Sequence, residues 1–167
     1  MAEDYLLNDH NKDEFPPAHT AEHLLNQLMV RMFGCERSRN AHIERKKSKI
    51  SYTLEQKPDR KTEKEIERQM NELIAEDMDV TFEYVTRAEL EGILMDATPG
   101  SPDALLSLER LPADASETIR LVRIGDYDVC PCIGKHVRST AQIGRFEMLG
   151  TNWDEGQHSF RIRFKIV

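Results

Sequence analysis

PPAHTAEHLLNQLMVRMFG, residues 16 to 34, is the stretch on which the reading of the fold turns. Leu24, Leu25, Leu28, Met29 and Met32 recur at the spacing that lines one face of an α-helix. Pro16 and Pro17 lead into the run and Gly34 supplies a C-terminal stop, so a helix is predicted over 18–33. The same stretch carries His19 and His23, and residues four apart on a helix share a face, so both imidazoles can point at one place.

Outward from this helix, residues 1–15 hold many charges and few apolar anchors and read as a loosely ordered N-terminal arm, leaving 16–167 as a single domain. NAHIERKKSKISYTLEQ, 40–56, spaces Ile50, Tyr52 and Leu54 by two, which predicts a strand pair or one long strand whose polar side carries Arg45, Lys46, Lys47 and Lys49. From Arg60 to Asp77, Ile66, Met70, Leu73 and Ile74 return to helical spacing, with Thr62 and Glu65 placed as a capping box. DVTFEYV at 79–85 alternates as a strand, turning either Val80, Phe82 and Tyr84 or the opposite set inward, and TRAELEGILM at 86–95 reads as a short helix capped by Thr86. Past a loop containing Pro99, Gly100, Pro102 and Pro112, the segments TIRLVRIG, DYDVCPC, GRFEMLG and HSFRIRFKIV are all strand-like. Two long helices with mostly adjacent strands predict an α+β fold, a two-layer sandwich with a mainly antiparallel sheet.

Length and composition bound the function. A chain of 167 residues suits one domain with a real core, and 39% hydrophobic with 32% charged residues is the balance of a soluble globular protein. No apolar run reaches the length needed to cross a bilayer, and the opening MAEDYLLNDHNKDE is acidic where a secretory leader would be basic and then apolar, so a cytoplasmic protein is expected. Three cysteines, Cys35, Cys130 and Cys132, build no disulfide framework in that reducing compartment, which turns attention to metal binding. A net charge of −7 argues against indiscriminate attraction to nucleic acid and leaves room only for a locally basic face.

The metal reading comes from two paired spacings. Thr20 stands directly after His19, where a metalloprotease HExxH motif needs glutamate, so that chemistry does not apply. In CPCIGKHV at 130–137, Cys132 and His136 repeat the four-residue separation across a turn containing Gly134. One thiolate and three imidazoles make a full tetrahedral set for zinc, gathered from both ends of the chain. Cys130 shares a face with Cys132 in an extended segment and could take its place as ligand, while Cys35 reads as structural.

HTAEHLL at 19–25, CPCIGKHV at 130–137 and the following STAQIGRFEML together resemble the editing domain shared by alanyl- and threonyl-tRNA synthetases and by the AlaX proteins, in the short form. The resemblance implies zinc on His19, His23, Cys132 and His136, and hydrolysis of mischarged tRNA(Ala), carrying serine or in some members glycine, in trans. Thr140, Ile143 and Gly144 match the stretch after the second motif. Many members have Gly-Gly-Thr between the cysteine and the histidine, where this chain has Ile133, Gly134 and Lys135.

For such a reaction, Thr20 and Lys135 are the candidate catalytic residues, as polar contacts to the amino acid, with Lys135 also placed to stabilise an oxyanion. Arg45, Lys46, Lys47 and Lys49 form the densest basic cluster for tRNA phosphates, and Arg138, Arg161, Arg163 and Lys165 can add to it. Two other readings compete: a zinc-stabilised module that binds RNA or protein without turnover, and a metal hydrolase acting on a small ester or amide.

Overall fold

The computed structural model describes residues 14–106 and 118–167; the arm read over 1–15 lies almost wholly outside them. In chain order the elements are α1 (Pro16–Phe33), β1 (Asn40–His42), β2 (Ser48–Thr53), α2 (Arg60–Ala75), β3 (Val80–Val85), α3 (Arg87–Asp96), β4 (Ile119–Ile124), β5 (Asp128–Pro131), β6 (Phe146–Asp154) and β7 (Ser159–Ile166), with short 3-10 turns at Pro102–Leu105 and Thr140–Ile143. The fold is α+β, and every strand pairing among the described residues is antiparallel. Those residues fall into two compact units, a larger one of 14–78 with 134–167 and a smaller one of 79–106 with 118–133.

In the larger unit the sheet runs β1-β2-β7-β6. The period-two pattern read in HSFRIRFKIV works as expected: Phe160, Ile162 and Phe164 are fully buried, as are Ile50 and Tyr52 on β2, and Phe146 stacks on Phe164 with ring centroids 4.9 Å apart. Each such side chain contributes about 1.5–3 kcal/mol by leaving water. The basic stretch resolves as a strand pair, with Arg45 to Lys47 in the turn between β1 and β2.

Helix α1 starts two residues earlier than read, because Pro16 sits in its first turn, where a missing N–H costs nothing. Gly34 ends it in the left-handed conformation, φ 68°, donating its N–H to the Val30 carbonyl. Between Ala18 and Met29 the helix is buried nearly all round, its polar residues included. Asn26 survives there because its Oδ1 accepts from the Tyr52 hydroxyl at 2.8 Å and the Ser38 amide at 3.2 Å. Burial pushes the Tyr52 hydroxyl well above its ordinary pKa, so the ring stays neutral and donating.

Helix α2 buries Ile66, Met70, Leu73 and Ile74, as its periodicity requires. Its cap differs from the expectation. Asp59 is the N-cap and accepts from the Thr62 amide at 2.7 Å, while Glu65 instead holds Arg68 and Gln69 on the helix surface. The carboxylate one position before the helix outcompetes a threonine inside it. The other face of α2 seals the sheet edge: Asn71 both donates to the Phe146 carbonyl and accepts from its amide, and Glu67 accepts from Met148 N–H.

The smaller unit has the sheet order β3-β4-β5. Val85, Ile119, Leu121 and Val129 pack with Leu90 of α3 and with Leu106. Thr86 caps α3 through the full reciprocal box with Glu89, as read. Neither alternation proposed for β3 holds over its length: Val80 and Val85 are buried, whereas Phe82 and Tyr84 are about half exposed. No helix among the described residues is long and apolar enough to cross a membrane.

Candidate metal centre

Three histidines of the larger unit meet at one point. On α1, His19 and His23 stand a turn apart with ring centroids 5.1 Å from each other, and His136 arrives from the C-terminal segment to stack on His19 at 4.2 Å and meet His23 edge-on at 4.5 Å. Their ligand nitrogens lie within 4.8 Å of one another. Three imidazoles so gathered within one unit could hold a metal ion.

His136 is delivered by a stapled segment. Thr140, fully buried, donates its hydroxyl to carbonyls at the end of α2, accepts the Met78 amide at 2.9 Å, and gives its own amide to the Met78 carbonyl. Gly144 then turns with φ 100°, where a Cβ would lie 2.6 Å from the Val167 carbonyl oxygen. Thr140 and Gly144, noted only as part of the resemblance, therefore anchor the segment that carries His136, and Ile143 between them is buried.

The imidazoles are oriented by hydrogen bonds. The Nδ1 of His19 is 3.1 Å from the Lys135 carbonyl oxygen, which can only accept, an arrangement that suits a proton on Nδ1 and ligation through Nε2. Thr20 is fully buried, and its hydroxyl oxygen lies 2.9 Å from His136 Nδ1 and accepts from the Val137 amide at 3.2 Å. A histidine that ligates through Nε2 must donate from Nδ1, and the Thr20 oxygen is positioned to take that proton.

Glu14 was not singled out by the sequence, and Gly134 was read only as part of a turn. Glu14 accepts from the Lys135 amide at 2.8 Å and stands 3.3 Å from His19 Nδ1, bracing the loop that faces the helix. Its only signal was its place just ahead of the first histidine pair. At Gly134 a Cβ would lie 2.2 Å from Cε1 of His19 and 2.3 Å from the Glu14 carboxylate, so the ring can approach only a glycine backbone. The donor set suits zinc, for which imidazole nitrogen is a preferred ligand.

The remaining predicted residues sit apart in role. Lys135 is exposed, and its backbone N–H and carbonyl are what engage Glu14 and His19. Arg45, Lys46, Lys47 and Lys49 are all exposed, with the Arg45 guanidinium 4.5 Å over the Phe15 ring. Cys130 is part-buried on β5, opposite Val122. Burial raises the pKa of the Cys35 thiol, which donates weakly to the Met29 carbonyl as a structural cysteine would.

Residues 119–162 match the threonyl and alanyl tRNA synthetase second additional domain, a span that includes Cys132 and His136. Among individual relatives, the alanyl-tRNA editing protein AlaX-L of Pyrococcus horikoshii is 28% identical over 146 residues, covering 87% of this chain and 32% of that protein. The alanine–tRNA ligase of Methanococcus vannielii is 26% identical over 87% of this chain and 15% of the ligase, and that of Halobacterium salinarum 33% over 78% and 13%. The chain thus spans about a third of the editing protein and a smaller fraction of the ligases. Its resemblance to AlaX-type editing proteins and to alanyl-tRNA synthetases extends well beyond the two motifs.

Proposed function

We propose that the chain is a zinc-dependent aminoacyl-tRNA deacylase that hydrolyses mischarged tRNA(Ala), seryl or glycyl, with 16–167 working as one editing-type domain of two-layer architecture. The observation that carries this reading is the convergence of His19, His23 and His136 in a chain that aligns over 87% of its length with an alanyl-tRNA editing protein. Zinc, held by these histidines and Cys132, would supply Lewis-acid polarisation of the ester or activation of water.

The chain's own residues do the rest. In this reading the Lys135 carbonyl and the Thr20 hydroxyl accept from Nδ1 of His19 and His136, which leaves Nε2 of each ring for the metal. Thr20 thereby acts through His136; its hydroxyl is spent on that ring and on Val137, which makes it a positioning residue in this reading. Lys135, with its backbone fixed and its side chain exposed, keeps the ammonium available for the developing oxyanion. Arg45, Lys46, Lys47 and Lys49 supply charge toward tRNA phosphates.

The test is release of amino acid from Ser-, Gly- and Ala-tRNA(Ala), with and without chelator. Serine or glycine release that zinc restores, with Ala-tRNA(Ala) spared, is the expected result. Stoichiometric zinc with no release from any charged tRNA would instead establish the non-catalytic binding module.

A further inference from the structure

The outward face of the four-stranded sheet takes no part in the metal centre. Pairing of β2 with β7 sets Lys49 directly across from Arg163, and Ser51 across from Arg161. Since Ile50, Tyr52, Phe160, Ile162 and Phe164 turn inward, the alternation of strand side chains sends Lys49, Arg161 and Arg163 outward together. The neighbouring strands extend these rows: His42 stands opposite Lys49, Gly150 opposite Arg163 and Asn152 opposite Arg161. No carboxylate occupies either row.

Like charges directly opposite on a sheet destabilise it. Elsewhere the same sheet sets a carboxylate beside a cation: Glu147 lies 3.8 Å from Lys165. Among the described residues, Lys49, Arg161 and Arg163 have no carboxylate partner, and the Arg161 Nε reaches only the Ser51 hydroxyl, at 3.5 Å. The Arg163 guanidinium comes close to the Gly150 backbone, for a Cβ at position 150 would fall 2.5 Å from its terminal nitrogen.

We propose that this face docks the phosphate backbone of an RNA duplex, the stem of the tRNA, with Lys49, Arg161 and Arg163 as the phosphate contacts and Ser51 and Asn152 as hydrogen-bonding neighbours. The proposal rests on the tRNA reading above and extends the contact from the turn onto the sheet: of the four cations first singled out, Lys49 alone lies in these rows. Charge and polarity select the partner. The wide, shallow minor groove of A-form RNA presents phosphates and 2′-hydroxyls to such a surface, whereas a lipid surface would call for apolar side chains that neither row contains.

The experiment measures binding of the full chain to uncharged tRNA(Ala) and to a blunt RNA hairpin over a range of salt concentrations. The proteins are wild type, the doubly exposed Lys49→Gln/Arg161→Gln variant and Arg163→Gln, with thermal melts run alongside. Affinity should fall, and the slope of log affinity against log salt should drop by about one per charge removed. Should Arg163→Gln fail to fold, the double variant alone decides. Unchanged affinity and slope in a folded variant overturn the docking face, as would preference of the wild type for anionic phospholipid vesicles over the hairpin. Serine release measured on the same proteins separates the two ideas: face-dependent binding without release leaves the face standing and removes the deacylase, and release with face-independent binding does the reverse.

Discussion

A methyl group at position 134 would meet both the His19 ring and the Glu14 carboxylate at well under van der Waals distance. Gly134→Ala should therefore push His19 out of line and weaken zinc binding by about 10–100-fold, the usual cost of disturbing the groups that orient ligands, in a chelator competition titration. Thr20→Val, which preserves shape and removes the hydroxyl at His136, should weaken zinc to a similar degree, and Thr20→Ser should restore it. Tyr52 gives a pH signature. Its pKa is raised in the folded chain by burial, so its contribution to stability is complete below the ordinary value of 10 and is lost as pH rises through the folded value. Denaturation midpoints of the wild type should thus decline above pH 10 more steeply than those of Tyr52→Phe.

At the level of elements, α2 does two jobs, and each has its own test. Asn71 satisfies both the amide and the carbonyl of Phe146, so Asn71→Ala should cost about 1–3 kcal/mol in urea denaturation by leaving edge-strand groups without partners. On its exposed side, hydrogen bonds from Arg68 and Gln69 hold the Glu65 carboxyl down to about 2. A depressed carboxylate stabilises above its unfolded value and loses that support as pH falls through the folded one, so helicity should erode from about pH 4.5 toward 2, less so in Glu65→Gln. Periodicity made α1, α2 and the C-terminal strands legible because each buries a regular stripe. The breadth of α1's burial was not legible, since Asn26 is made tolerable by Tyr52 and Ser38, which nothing local announces. The cap of α2 was misread because Thr62 and Glu65 satisfy a pattern that Asp59 satisfies better.

For the molecule as a whole, a ligand that binds only the folded state stabilises it by mass action. Zinc at 100 times its dissociation constant should add about 2.7 kcal/mol, a rise of roughly 5–10 °C in melting temperature that chelator removes. The three histidines could be named in advance because imidazoles advertise themselves by chemistry and spacing. Glu14 and the backbone of Lys135 could not, since their link spans 121 positions and uses a main-chain donor that every residue possesses. The basic face was only partly visible, because strand register, and not composition, decides which cations stand side by side.

The larger unit is discontinuous, its two halves separated in sequence by the smaller one. Its third histidine and its two longest strands are therefore made last. A nascent chain on the ribosome carries His19 and His23 long before it carries His136, β6 or β7. An ion that needs all three histidines can settle only once His136 has left the ribosome, and a chain ending before residue 134 lacks His136 together with β6 and β7.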